Sequence, residues 1–207
     1  MLQIYKQIKP EIDQRYLTFK TIWKLGGQEV FSELVFCLCT PQTNAKCGWK
    51  AVQYLTKSNL LNIPDQYLIQ QELSAAGVRF NKNKAKYIAQ AINQYSNIKN
   101  IVENKIAEIG VVETRNWLAD TINGLGMKEA SHFLRNVGFG DEICILDRHI
   151  LRNLVANKVI PEVPRHMNKK AYLEIESKMI DFAHDINIPV FALDFVFWYN
   201  SKGELFK

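Results

Sequence analysis

Cysteine is scarce in this sequence, and the few cysteines show no recognisable pattern. Their spacing is neither that of a zinc site nor the even series of a secreted, disulfide-rich protein. We therefore expect free and mostly buried thiols in a reducing compartment, the cytoplasm. The residues concerned are Cys37, Cys39, Cys47 and Cys144.

Long apolar runs and strand patterns are scarce as well. No apolar run is long enough to cross a bilayer, and the first residues lack the pattern of a signal peptide, so we expect no membrane association. Apolar residues instead recur at intervals of three and four almost throughout, which favours an all-α fold. The predicted helices cover residues 4–23, 28–39, 65–76, 98–109, 112–121, 148–157, 169–185 and 189–199, and Thr43 is the expected N-cap of another.

The excess of positive charge is small. The chain has 26 lysine and arginine residues against 21 acidic residues, a net charge of +5. This balance is compatible with a polyanionic partner but does not require one. The length of 207 residues suits one domain or two small lobes with a sizeable core.

A short glycine turn at about residues 121–128 separates two helical patterns. Gly124 and Gly126 allow backbone conformations that a side chain would forbid, so the sequence predicts a helix-hairpin-helix unit. A hairpin that opens directly into a helix leaves backbone N–H groups unpaired. Together with the helix dipole, these groups favour the binding of a phosphate.

A lysine and an aspartate stand out near this hairpin. Lys128 falls in the first turn of the second helix, where the helix dipole disfavours its ammonium form and so favours a nucleophilic amine. Asp147 lies nineteen positions later, directly before a predicted helix, and is placed to cap it. From the residues alone, a solvated lysine and a simple N-cap are the ordinary roles. A capping carboxylate also keeps its charge and its geometry, so both roles are compatible.

These residues resemble a known family. Gly124-Leu125-Gly126-Met127-Lys128, followed by Leu146-Asp147-Arg148-His149, is similar to the helix-hairpin-helix base-excision DNA glycosylases that carry both the lysine and the aspartate. The run of residues 128–136, the Trp198-Tyr199 pair and Lys207 at the end of the chain resemble the archaeal and bacterial type-2 8-oxoguanine DNA glycosylase/AP lyases. The resemblance covers nearly the whole chain.

The resemblance implies a bifunctional repair enzyme that acts as a monomer on damaged double-stranded DNA. It would excise 8-oxoguanine and nick the strand by β-elimination through a Schiff base on Lys128, with Asp147 stabilising the transition state. No organic cofactor is implied. Some relatives in the superfamily hold an iron-sulfur cluster near the C-terminus, but no cysteine follows Cys144 to supply one. The hairpin carbonyls are a candidate site for a monovalent cation.

The resemblance also implies roles for further residues. The base pocket would contain Lys207, Trp198, Phe80 and His132. Gln42 would fill the gap left by the extruded nucleotide, whereas the local sequence alone favours an ordinary turn or capping residue. The remaining expected DNA contacts come from Gly124, Gly126, His149, Arg148, Lys82 and Lys84. For the aromatic residues and His132 a place in the core is the alternative, and for the two lysines a solvated helix face.

Two helical lobes with a DNA-binding cleft between them follow from the same resemblance. One lobe would comprise residues 31–139 with the hairpin, and the other residues 1–30 plus 140–207 with Asp147 and Lys207. Two other functions stay open. One is an oxidised-pyrimidine glycosylase/AP lyase of the same fold, and the other is a non-catalytic helix-hairpin-helix DNA-binding module, which would need neither Lys128 nor Asp147.

Overall fold

The computed structural model describes residues 1–203 and 205, and within these ranges the chain is helical with no β-strand. The all-α prediction is therefore confirmed. Ten α-helices and one short 3-10 helix follow one another in the order α1 (Leu2–Leu25), α2 (Gly27–Cys39), α3 (Ala45–Lys57), the 3-10 helix (Leu60–Asn62), α4 (Gln66–Ala75), α5 (Asn81–Tyr95), α6 (Ile98–Thr121), α7 (Met127–Asn136), α8 (Arg148–Ala156), α9 (Lys169–Asp185) and α10 (Val190–Lys202).

The buried apolar residues form two separate cores. The first is built from α2 to α7 and includes Phe36 and Phe133, both fully buried. The second is built from α1, α8, α9 and α10 and includes Phe19 and Phe197. The two cores meet at the C-terminal part of α1, where Ile22 packs against both. The exact division at residues 31–139 stays a prediction.

Short polar side chains begin several of the helices, as N-cap chemistry predicts. Asp65 accepts hydrogen bonds from the backbone N–H groups of residues 67 and 68, at 2.9 and 3.0 Å, and so starts α4. The expected cap of α3 was wrong by one residue. Asn44 caps this helix through Lys46 N at 2.8 Å, because Thr43 Oγ1 is already engaged by Lys84 Nζ and by the backbone N–H of Arg79.

Helix α6 contains a kink at the position where the sequence predicts a boundary between two helices. Gly110 has φ +79° and ψ 173°, which is not helical, and the chain is helical on both sides. The second half of α6 leads into the hairpin that follows at residue 122.

Candidate active site

A cleft of about 1010 Å³ is lined by residues from both cores. Its walls come from the loop after α2, the start of α7, the segment around the start of α8, the loop before α9, and α10. The cleft brings together most of the residues predicted from the sequence, because these elements converge there. They are Gln42, Lys128, His132, Asp147, Arg148, His149 and Trp198.

The hairpin is a tight turn with a close approach to α5. Leu125 is buried and donates its N–H to Ile122 O at 3.0 Å, while Gly124 has φ +87° and is exposed. A Cβ atom at Gly124 would lie 2.4 Å from Cδ2 of Tyr87, so only glycine fits. Within the part of the chain that the structure describes, no side chain caps α7 after Gly126. The first N–H groups of α7 therefore stay available for a phosphate.

Replacement of Gly124 by alanine should destabilise the protein through two effects. The left-handed backbone alone costs about 1 kcal/mol for a residue with a side chain, and the clash with Tyr87 adds roughly 1–3 kcal/mol. Gly77→Ala is the matched control, because Gly77 has a similar φ of +80° and its Cβ would make only an ordinary contact, 3.6 Å from Cys47 Sγ. Urea denaturation should show a larger loss for Gly124→Ala than for Gly77→Ala. Equal losses would contradict the close packing at Tyr87.

Lys128 lies in the first turn of α7, as predicted, with about a quarter (24%) of its side chain exposed to the cleft. Its ammonium nitrogen is 3.3 Å from Glu129 Oε1, a contact that sequence reasoning missed. The Glu129 carboxylate thus lies beside the Lys128 ammonium group in the first turn of α7, where the helix dipole favours negative charge.

Asp147 caps α8, as predicted. Its Oδ1 accepts hydrogen bonds from His149 N at 2.7 Å and Ile150 N at 2.8 Å. Among the described residues, Oδ2 accepts no hydrogen bond, so one oxygen of the carboxylate is left for the cleft. The aspartate thus combines a fixed position with an available charge.

Aromatic rings form one side of the cleft. Trp198 on α10 is half-buried and contacts the His149 ring edge-on, with the ring centroids 5.4 Å apart. His132 lies one turn after Lys128 on α7, is buried, and contacts Phe36 edge-on at 5.5 Å. The predicted pocket residues Trp198 and His132 therefore line the same cleft as Lys128. Lys207, the other predicted pocket residue, lies outside the described residues.

Gln42 and Phe80 both have left-handed backbones, with φ of +53° and +56°. Such conformations are uncommon for residues other than glycine and are found often at functional sites. Gln42 is exposed and lines the cleft, and its insertion into DNA stays a prediction. Phe80 is 54% exposed beside the Arg79 guanidinium but does not line the cleft. Its role in stacking on the base stays a prediction without geometric support.

The prediction that Lys84 contacts a DNA phosphate was wrong. Its side chain is buried, and its ammonium group donates to Cys39 O and Pro41 O at 2.7 Å and to Thr43 Oγ1 at 2.9 Å. All three N–H donors are used, so Lys84 holds the loop that carries Gln42. Lys82, in contrast, is exposed and stays a candidate for a phosphate contact.

The buried position of Lys84 predicts a pH dependence of stability. Burial lowers the pKa of Lys84 to about 8, whereas a lysine in the unfolded chain titrates near about 10.4. Between these values the unfolded chain binds more protons, so the free energy of unfolding rises with pH, by up to about 1.4 kcal/mol per pH unit. We expect the unsubstituted chain to gain stability relative to Lys84→Met between about pH 8 and 10.

Urea denaturation across this pH range measures the difference. Lys86→Met is the control, because Lys86 lies on the exposed face of the same helix. The prediction would be contradicted if the stability of the unsubstituted chain, relative to that of Lys84→Met, fell as the pH rose.

Sequence reasoning also missed a buried ion pair in the cleft. Arg135 Nη2 lies 3.1 Å from Asp194 Oδ2, and both residues line the cleft. Burial lowers the pKa of Arg135 and raises the pKa of Asp194. The spacing held a signal, since Arg135 follows Lys128 by seven residues and Asp194 precedes Trp198 by four, so each lies on the same helix face as a predicted residue. Lys46 and Arg165 also line the cleft and were not predicted.

Metal-binding groups and membrane-spanning helices are both absent from the described residues. No group of three or more histidine, cysteine or acidic side chains in this part of the chain is arranged to hold a metal ion. The four thiols are free, and three of them are buried. None of the described helices has the length and apolar character needed to cross a membrane.

Two helical cores that share a cleft, with a lysine after a glycine hairpin and a helix-capping aspartate lining it, define the class of helix-hairpin-helix DNA glycosylases. The sequence makes the assignment more specific. A family model described as "8-oxoguanine DNA glycosylase" matches residues 12–188, so the chain belongs to this family.

Relatives and solved structures agree with this assignment. A protein of Fusobacterium nucleatum named "8-oxoguanine DNA glycosylase/AP lyase" is 40% identical, over 99% of this chain and 95% of its own. One of the same name from Methanocaldococcus jannaschii is 38% identical, over 97% and 94%. The crystal structure of a Methanocaldococcus jannaschii 8-oxoguanine glycosylase/lyase in complex with 15mer DNA containing 8-oxoguanine gives a TM-score of 0.90 at 33% identity, covering 100% of this chain and 99% of that one. The Thermotoga maritima 8-oxoguanine DNA glycosylase gives 0.88 at 29% identity, covering 99% and 95%.

Proposed function

We propose that this protein excises 8-oxoguanine from double-stranded DNA and then cleaves the strand by β-elimination. The observation that carries the proposal is the shared cleft, which Lys128 and Asp147 line in a fold similar to that of a relative solved with DNA containing 8-oxoguanine. A DNA-binding module without catalysis would need neither of these two side chains.

DNA binding uses the hairpin and the cations around the cleft. The N–H groups after Gly124 and Gly126 bind a phosphate at the positive end of α7, and Lys82, Arg148 and His149 contact the backbone. Gln42 enters the gap in the duplex when the damaged nucleotide leaves the stack. The extrusion costs roughly a few kcal/mol, which contacts in the cleft offset.

The chemical step begins when the neutral amine of Lys128 attacks C1′ of the extruded nucleotide. The bond from C1′ to the base breaks, and the base leaves with the bonding electrons and takes up a proton. The charge of Asp147 stabilises the oxocarbenium-like transition state. The sugar ring opens to a protonated imine on Lys128. Loss of a proton from C2′ then expels the 3′ phosphate, and this step requires an amine nucleophile.

The proposed base pocket uses the Trp198 ring as a stacking wall together with His132, and both residues line the cleft. The proposal also assigns Lys207 to recognition of the base. It further includes Phe80 as a second aromatic contact to the base. Because Phe80 does not line the cleft, it would have to move toward the base when DNA binds. The hairpin carbonyls are a candidate monovalent cation site, and the proposed chemistry needs no organic cofactor or iron-sulfur cluster. We further propose that the protein acts as a monomer in the cytoplasm.

Borohydride trapping tests the reaction and the lesion together. The protein is incubated with a duplex that carries one 8-oxoguanine opposite cytosine, and sodium borohydride reduces any imine to a stable covalent bond. An undamaged duplex of the same sequence is the control. We expect a cross-linked band with the damaged duplex only.

The other outcomes discriminate between the alternatives. A band with oxidised pyrimidines or abasic sites but none with 8-oxoguanine would support the Schiff-base chemistry and contradict the substrate assignment. No band with any of these duplexes, together with retained DNA binding, would favour the non-catalytic module.

A further inference from the structure

A buried polar network connects the two cores behind the cleft. Arg115 on α6 is completely buried, and its guanidinium pairs with the carboxylate of Glu176 on α9 through two parallel contacts, Nη1 to Oε1 at 2.9 Å and Nη2 to Oε2 at 2.6 Å. Arg115 belongs to the element before the hairpin, whereas α9 belongs to the second core. The ion pair therefore crosses from one core to the other.

The network reaches α7 on one side. Arg115 Nη1 also donates to Ser131 Oγ at 2.9 Å, and the same Oγ lies 3.3 Å from the hydroxyl of Tyr172. Ser131 is completely buried and follows Lys128 by three residues, so it lies on the next turn of the same helix. The helix that carries Lys128 is thus bound to the ion pair.

On the other side, the network holds the extended segment that leads to Asp147. The N–H of Cys144 donates to Glu176 Oε1 at 2.8 Å, and the Tyr172 hydroxyl donates to Cys144 O at 2.6 Å. The N–H of Leu146 donates to the oxygen of Tyr172 at 3.3 Å. This segment belongs to no helix or strand of the described chain, and these bonds satisfy three of its backbone groups.

We propose that Arg115, Glu176 and Tyr172 are positioning residues that fix Asp147 relative to Lys128. The inference rests on the proposed function, because it assigns the network to the geometry of that reaction. Stability alone accounts poorly for it, since apolar residues of similar volume often stabilise a core as well as a buried ion pair does. A displacement of about 1 Å between reacting groups can reduce a rate by about 100-fold, so a rigid connection matters for catalysis.

The proposal predicts different effects on the two chemical steps. Excision of the base depends on the charge of Asp147 near C1′, whereas attack of Lys128 on the aldehyde of an existing abasic site does not pass through the oxocarbenium-like state. Loss of the network should therefore slow excision more than abasic-site cleavage. A purely structural role would change the two rates alike or leave both unchanged.

Tyr172→Phe is the variant of choice, because it removes only the hydroxyl and keeps the ring that packs against the Arg115 guanidinium. Glu176→Gln is a second variant, which removes the charge and keeps the shape. Lys169→Met is the matched control, because Lys169 pairs at 2.7 Å with Asp120 and so joins the same two helices, α6 and α9, at the surface. All are made in the full chain.

Three quantities are measured: single-turnover excision of 8-oxoguanine, cleavage of a duplex with a preformed abasic site, and amide hydrogen exchange of residues 143–147. For Tyr172→Phe we expect excision to slow by about 10-fold or more, abasic cleavage to stay within about twofold, and exchange at Leu146 to accelerate. Lys169→Met should match the unsubstituted chain in all three.

Unchanged excision in Tyr172→Phe and Glu176→Gln, or an equal loss of both activities, would overturn the proposal. If Glu176→Gln fails to fold, Tyr172→Phe alone decides. A wild-type chain that cannot excise 8-oxoguanine would instead overturn the proposed function. The exchange measurement would then still test whether the network holds residues 143–147, and unchanged exchange at Leu146 in Tyr172→Phe would refute that part of the inference.

Discussion

Lys128→Gln is expected to abolish the borohydride-trapped adduct and to slow base excision by on the order of 10³-fold or more, because the amide cannot form an imine. The fold should tolerate the change, since the only ion pair recorded for Lys128 in the described chain is the partly exposed contact with Glu129, and such pairs contribute little to stability. Single-turnover kinetics measure the rate of excision, and denaturing gel electrophoresis measures the amount of trapped adduct.

The control for Lys128→Gln is Lys82→Gln, which removes the same charge from an exposed position on α5. This variant should bind DNA somewhat more weakly, with a smaller salt dependence, and should still give the trapped band. A trapped adduct that persists in Lys128→Gln would show that another amine is the nucleophile.

Asp147→Asn is expected to have the second largest effect. Asparagine is a good N-cap, so the two hydrogen bonds to the start of α8 can be kept while the negative charge is lost. We expect the thermal midpoint to change little and excision to slow by about 100-fold or more, because the charge no longer stabilises the transition state. Thermal denaturation and single-turnover excision on the same preparation separate the two roles of Asp147.

Asp65→Ala is the matched control for the capping role, and Asp147→Ala the companion variant. Asp65 caps α4 with the same pattern of two hydrogen bonds as Asp147 but does not line the cleft. Each alanine variant should lose about 1 kcal/mol of stability. Only Asp147→Ala should also lose excision activity. Full excision activity of Asp147→Asn would show that Asp147 acts only as an N-cap.

Local chemistry allowed much of this structure to be predicted from the sequence. The boundaries of α9, the interruption of the helical pattern near Gly110 and the cap at Asp147 all depend on residues a few positions apart. Hydrophobic periodicity and capping act over these short distances, so the sequence displays them directly. The presence of Lys128 and Asp147 on one cleft came from family resemblance rather than from local pattern.

Long-range polar contacts could not be predicted in the same way. Lys84 looked like one of several exposed lysines at a helix start, yet its ammonium group binds a loop more than forty positions earlier in the chain. Arg115 and Glu176 are separated by 61 positions, and nothing near either residue indicates the other. The choice of Asn44 over Thr43 as a cap has the same origin, because Lys84 occupies the threonine hydroxyl.

The three hydrogen bonds of Lys84 have a consequence for how the protein searches DNA. They hold the Gln42 loop in place before any DNA is present, so the conformational entropy of this loop is lost during folding and not at each encounter with the duplex. A protein that examines many undamaged base pairs for each damaged one would otherwise repeat this cost at every site. If Gln42 inserts as proposed, a loop fixed in advance leaves more of the binding free energy to distinguish the lesion.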